Sequence, residues 1–221
     1  MNCPYKKNCI PPFLAGYTPQ NMKIIGITGG IGSGKTEVAR VFKKLGAKIL
    51  SGDKIGKEVV EKNRSVLKKL IRIFGEGILN RNKKLDRRKL GKIAFSSIEN
   101  RDKLNTIIHP YLLSNLREKI KEYRKKKKGV VVIDAALIIE WGLQKELDYL
   151  ILVESSFQNR IKRLKEYSGY SQKEAINRIK AQIKDRTRRK YADYVIRNDK
   201  DLKELKRKVL FLWERLISKM S

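Results

Sequence analysis

Cysteine is nearly missing from this chain of 221 residues: there are two, Cys3 and Cys9, both at the extreme N-terminus. No disulfide framework can therefore support the fold. The pair matches no common zinc spacing, nothing downstream supplies further ligands, and the two read as incidental. Histidine is scarcer, with His109 alone, which leaves no second residue from which a nucleophilic triad or a metal site could be built around it. Long apolar runs are missing too. None approaches the roughly 20 residues of a membrane helix, and Pro11 and Pro12 break the stretch that a signal peptide would need after Lys6 and Lys7. These absences predict a cytoplasmic protein with no membrane partner. Aromatics, at 8%, are few and scattered and form no RNP-like or recognition-helix pattern, so no specific nucleic-acid partner is expected. Repeats and low-complexity segments are lacking as well.

Acidic residues are the other shortage. Against 53 Lys and Arg stand 23 Asp and Glu, a formal net charge of +30. The basic residues fall in short runs (Lys68-Lys69, Arg87-Arg88-Lys89, Arg124 to Lys128, Arg186 to Lys190) that share helical stretches with periodic apolar positions. A solvated surface is the first reading; nonspecific attraction to nucleic acid and steering of anionic substrates overlap with it. Lys-rich and Ile-rich usage also fits a thermophile surface. A chain of this length with 41% hydrophobic residues is expected to fold as one α/β unit with a smaller inserted element. Residues 1–21, ahead of the first regular pattern, are a flexible extension or an overlong start. A monomer is expected, with an oligomer left open.

Lys23 to Thr28 (KIIGIT) is a β-branched run that ends in the glycine-rich stretch Gly29-Gly30-Ile31-Gly32-Ser33-Gly34. From Lys35 the period becomes helical, with Val38, Val41, Phe42 and Leu45 on one face and Gly46 where a C-terminal glycine belongs. A second short strand over Ala47 to Leu50 brings Ser51-Gly52-Asp53 to the same edge of a parallel sheet, near the glycine loop. Residues 54–128 show only amphipathic stretches, around 66–74, 87–95, 101–108 and 111–123, with a break at His109-Pro110. Strands follow at Gly129 to Asp134 (GVVVID), whose continuous apolar character predicts burial on both faces, at Tyr149 to Val153, and weakly at Tyr194 to Ile196. Helices are predicted over 157–166 and 172–184. A final one carries Leu202, Leu205, Val209, Leu212 and Leu216 on a core-facing stripe.

Gly29 to Thr36 satisfies G-x-x-x-x-G-K-T between a strand and a helix. Glycines let successive N–H groups turn inward as an anion nest, the helix start adds its positive end, Lys35 reaches the outer phosphates and the Thr36 hydroxyl ligates Mg²⁺. This is a P-loop, and Gly30, Ile31, Gly32, Ser33, Gly34, Lys35 and Thr36 are its expected ATP-binding residues. Asp53 is either an N-cap or a carboxylate that accepts the proton of an attacking hydroxyl. Asp134, at a strand end, is either a capping acid or part of the Mg²⁺ shell, with Glu140 following on the same side. The segment from Arg160 to Arg189 is cationic; a lid with Arg163, Arg186, Arg188 and Arg189 over a triphosphate is reasonable, although most such charges are merely solvated. By spacing alone His109 is a polar residue at a helix end.

Taken together these segments resemble the dephospho-CoA kinases, from Met22 to the end. The resemblance rests on ITGGIGSGKT, on Asp53 followed by Lys54-Ile55, on Leu85 with Arg87, Leu90 and Phe95, and on Leu104-Asn105 leading to Ile108-His109-Pro110. It continues in VVVIDAALIIEWGL, Arg163-Leu164, Arg178-Ile179 with Gln182, Ala192-Asp193 and Asn198. It implies ATP-dependent phosphorylation of the ribose 3′-hydroxyl of dephospho-CoA. The implied fold is a three-layer α/β P-loop core with a five-stranded, mainly parallel sheet (about 22–53, 129–155 and 190–221), a helical CoA-binding insertion (about 54–128) and a helical lid (about 156–189). Asp53 is implied as the carboxylate that engages the 3′-hydroxyl, Arg87 and His109 as acceptor-side residues, Asn198 as a neighbour of the adenine, and Arg163 as a catalytic residue of the lid, with Mg²⁺ accompanying ATP. Three positions depart from the family pattern: Ser51 and Ala136 stand where Asp and Pro are usual, and Tyr167-Ser168 replaces an Arg-Asp pair. The lid arginine common there is then missing or supplied by Arg160 or Lys165. Two other readings remain, a different small-molecule or nucleotide kinase with a P-loop, and a basic NTPase that binds nucleic acid.

Overall fold

The computed structural model describes residues 22–94, 96–126 and 129–218. Cys3, Cys9, the N-terminal segment 1–21 and Phe95 lie outside them. The β-branched runs form the strands: β1 (Met22–Thr28), β2 (Lys48–Ser51), β3 (Gly129–Asp134), β4 (Tyr149–Glu154) and β5 (Tyr194–Arg197). They assemble in the order β2-β3-β1-β4-β5, and β1 pairs in parallel with β3 and β4, as β4 does with β5. The register sets Ile27 against Asp134 on one side and Ile151 on the other, so the C-terminal ends of the three central strands meet at one edge.

Side chains alternate across this sheet. Ile25, Ile27, Val130, Val132, Ile151 and Val153 share a core with Val38, Val41 and Phe42 of α1 (Lys35–Lys44) and with Leu205, Val209, Leu212, Trp213 and Leu216 of the C-terminal helix, residues 202–218. Phe42 and Trp213 meet edge to face with centroids 5.5 Å apart, the arrangement that ring quadrupoles favour. Ile24, Val131, Ile133, Leu150 and Leu152, on the opposite face, are buried as well. Coverage of both faces explains why β3 needs no polar alternation, and gives the expected three-layer α/β P-loop core.

The chain divides into two compact units, Ser51–Lys119 and the remainder. Within Ser51–Lys119 lie α2 (Gly52–Lys62), α3 (Arg64–Phe74), α4 (Arg87–Ala94) and the greater part of α5 (Ile98–Lys125). The expected break at His109-Pro110 is not there: α5 runs 28 residues with Pro110 inside it. Proline removes the bond to the Thr106 carbonyl, but Thr106 and Pro110 are both exposed, so water can reach that oxygen. Meanwhile Leu104, Ile107, Leu112 and Leu116 stay buried along the helix, and their burial outweighs the interruption.

After β4 come α6 (Phe157–Ser168), α7 (Gln172–Lys180) and α8 (Asp185–Arg189), with the C-terminal helix as α9 (Leu202–Ser218). A single helix over 172–184 was expected; instead α7 ends at Lys180 and Gln182 sits in the break. Ile161 and Leu164 of α6 pack with Ala175 and Ile179 of α7 in a second small core that Ile31 joins.

Candidate active site at the phosphate loop

β1 stops at Thr28, whose hydroxyl donates to the Ala136 carbonyl at 3.1 Å and so fixes the strand end beside the chain leaving β3. The glycine loop follows and α1 begins at Lys35. Its N-cap, Gly34, has φ 98°, a conformation that L side chains rarely adopt, and no side chain caps the helix. An N-terminus left uncapped keeps its N–H groups and the positive end of its dipole available to an anion. Lys35 folds back over the loop, its Nζ 3.2 Å from the Gly30 carbonyl. Thr36 Oγ1 lies 3.2 Å from Oδ2 of Asp134, bringing one hydroxyl and one carboxylate together at the mouth of the loop.

The opposite side of the loop is held by side chains. Asn198 Nδ2 donates to the Ser33 carbonyl at 2.8 Å, so close that a Cβ on Gly34 would stand 2.2 Å from that nitrogen. Arg163 divides its donors among the carbonyls of Gly32 (3.3 Å), Ser33 (3.4 Å) and Asn198 (2.9 Å) and the Ser155 hydroxyl (3.2 Å). Carbonyls point away from an anion cradled by N–H groups. In this arrangement the guanidinium braces the loop through its carbonyls. Asp199 completes the scaffold: burial works against its charge, yet the Ser156 N–H, Arg197 and the Ser155 hydroxyl together hold its carboxyl down at about 2.

Two charges between 156 and 189 that sequence leaves to solvent are inside. Arg188 is fully buried and Arg160 is 7% exposed. Arg188 bonds the Ile183 carbonyl at 2.6 Å and Asp185 at 2.9 Å, and it lies 3.8 Å from Glu140. Burial pushes the Glu140 carboxyl up, with its own backbone N–H and Arg188 opposing. Arg160 donates to the Ile31 carbonyl at 2.8 Å, and burial lowers its pKa while Asp185 supports its charge. Helical spacing carries the missed signal: Arg160 shares the apolar face of Ile161 and Leu164. Arg189 pairs with Glu154 at 2.5 Å, whereas Tyr167, Lys165 and Arg186 are exposed.

Lys35, Thr36, Asp134, Arg163 and Asn198 thus belong to the unit that holds the sheet, and Asp53, Arg87 and His109 to Ser51–Lys119. Ser51, not Asp53, caps α2, its hydroxyl accepting from the Lys54 N–H at 3.3 Å. Asp53 is exposed in the first turn, and its carboxylate makes no hydrogen bond or ion pair among the described residues. Arg87 bonds the Lys57 carbonyl at 3.3 Å and pairs with Glu61. Burial lowers the pKa of His109, which favours the neutral ring at pH 7.

A family model for dephospho-CoA kinase matches residues 23–204. The chain belongs to the dephospho-CoA kinase family. A dephospho-CoA kinase of Dehalococcoides mccartyi is 37% identical over 185 residues, 84% of this chain and 93% of the relative. Among solved structures, TT1252 from Thermus thermophilus aligns with TM-score 0.71 at 30% identity, covering 89% of this chain and 98% of that one. The dephospho-CoA kinase from Campylobacter jejuni aligns at 0.62 and 23% identity, covering 88% and 97%, and supports the fold. The family match runs from β1 and the glycine loop through Asn198, and so takes in both sides of the phosphate site.

Proposed function

We propose that this chain transfers the γ-phosphate of ATP to the ribose 3′-hydroxyl of dephospho-CoA, giving CoA and ADP. The observation that carries the reading is the Thr36 and Asp134 pair beside the uncapped start of α1, in a chain that matches the dephospho-CoA kinase family over residues 23–204. The acceptor oxygen attacks the γ-phosphorus, the bond to the β-bridging oxygen breaks, and the hydroxyl proton passes to a carboxylate. Asp53 is assigned as that carboxylate: it is exposed, without a partner among the described residues, and relieved of capping by Ser51. Lys35 and the loop residues Gly30 through Thr36 are assigned to the phosphates, and Asn198 to the neighbourhood of the adenine.

Mg²⁺ fits the residues present, since a hard cation of small radius takes oxygen ligands and completes its shell with phosphate and water. Thr36 Oγ1 and Asp134 would hold it, and when bound it neutralises charge on the phosphates. Residues 51–119 are assigned to dephospho-CoA, with Arg87 facing its anionic groups and His109, neutral at pH 7, offering hydrogen bonds rather than charge. Residues 156–189 are assigned to the lid. We place the enzyme in the cytoplasm as a monomer; among the described residues no helix is long and apolar enough to cross a membrane.

An ADP-release assay with a panel of acceptors tests the reading. Dephospho-CoA should support turnover, and nucleoside monophosphates and small polyols should not. Faster turnover of a nucleoside monophosphate than of dephospho-CoA would sink it.

A further inference from the structure

Ile31, inside the loop, is gripped at both ends by side chains from far along the chain. Its N–H donates to Oε1 of Gln182 at 2.7 Å, and its carbonyl accepts from Nε of Arg160 at 2.8 Å. The two grips meet each other, because Nη2 of Arg160 lies 3.4 Å from the same Gln182 oxygen. The Ile31 side chain packs with the α6 and α7 core, which contains Ile161, Leu164, Ala175 and Ile179. The guanidinium of Arg160 occupies the space that a side chain on Gly30 would need: a Cβ there would stand 2.1 Å from Nη2. From behind, Asp185 lies 3.5 Å from Nη1 of Arg160 and bonds the buried Arg188 at 2.9 Å.

An N–H committed to Gln182 is not available to an anion, so the nest begins after Ile31, and the backbone there is fixed before nucleotide arrives. Freedom removed in advance is freedom that binding need not remove. We infer that Gln182 and Arg160 are positioning residues that preset the phosphate loop for nucleotide by clamping the Ile31 backbone. The inference rests on the reading that this loop binds ATP.

The test uses the full chain and two variants. Gln182→Met keeps the length of the side chain and loses the acceptor; Gln182→Glu keeps an acceptor. In Gln182→Met the KM for ATP should rise about fivefold to 150-fold, the range for one buried donor left without its acceptor. The kcat should stay within about twofold, as for loss of an interaction made equally in ground and transition states, and the KM for dephospho-CoA should not move. Amide exchange at Ile31, followed without any substrate, should quicken in Gln182→Met and remain slow in Gln182→Glu. A wild-type KM for ATP in Gln182→Met, an equal rise in both KM values, a kcat loss without a change in KM, or an Ile31 amide indifferent to the substitution would each overturn the inference. An inactive wild-type chain would instead refute the kinase reading, and the exchange measurement would still decide the clamp.

Discussion

Replacing Gly34 by alanine tests the geometry of the loop at its tightest point. Two independent effects add there. The residue has φ 98°, and holding an L residue in the left-handed region costs about 1–2 kcal/mol. The new Cβ would also stand 2.2 Å from Nδ2 of Asn198, displacing an amide whose 2.8 Å bond to the Ser33 carbonyl is buried; loss of one such bond costs about 1–2 kcal/mol more. A total of roughly 3 kcal/mol corresponds, for a chain of this size, to a fall in Tm of about 6–12 °C. Differential scanning fluorimetry without ligand reads it directly. The second effect vanishes if Asn198 is already alanine, so the double variant Gly34→Ala with Asn198→Ala should lose about 1 kcal/mol less than the sum of the singles. Strict additivity, or an unchanged Tm in Gly34→Ala, would refute the close contact between the loop and Asn198.

Lys35→Ala should lower kcat/KM for ATP by about 10³-fold or more, as expected for removing a charge aimed at transferring phosphate. Its Tm should be nearly unchanged, because the Lys35 side chain is only half-buried and reaches over the loop to the Gly30 carbonyl rather than into an apolar core. Asp53→Asn should lower kcat by about 10²- to 10⁴-fold, the range for a positioned general base. Its fold should survive, since Ser51 does the capping; circular dichroism and steady-state rates check both halves. Asp199 supplies a pH prediction. Its folded pKa, about 2, lies below the ordinary carboxylate value, so its stabilisation is complete above that value and disappears as pH falls from about 4 toward 2. Acid titration of the Tm should show a shallower decline in Asp199→Asn than in the wild type over that window.

The sheet and the loop were legible because local chemistry determines them. KIIGIT and GVVVID are β-branched runs too short for buried helices, and G-x-x-x-x-G-K-T between a strand and a helix leaves few alternatives. Sequence failed where a side chain finds its partner across a long stretch of chain. Gln182 lies 151 positions from Ile31 and Arg160 lies 129 from it, so neither bond leaves a local trace. Pro110 misled for the opposite reason: a strong local signal for a break was overridden by burial on the other face of α5. The cap of α2 was half legible, since Asp53 after a short strand can serve as one, but Ser51 does so instead.

Charge counting alone misjudges the surroundings of the phosphate loop. A net charge of +30 suggests an open cationic surface around the loop, yet three carboxylates near it are paired with arginines, while Asp134 meets the Thr36 hydroxyl. Asp185 serves Arg160 and Arg188, Glu154 serves Arg189, and Asp199 serves Arg197. The pairs made by Asp185 and Glu154 tie α6 and α8 to each other and to the end of β4, which is a structural use of charge. The pair of Arg197 with Asp199 stiffens the turn that presents Asn198 to the loop. If the loop binds ATP as proposed, attraction for the triphosphate falls chiefly to Lys35 and to backbone N–H groups at the start of α1, whose geometry is set by neutral and charged side chains standing behind them. The arginines that reach the loop, Arg160 and Arg163, are engaged with its carbonyls and help to hold Gly30 to Thr36 in one conformation.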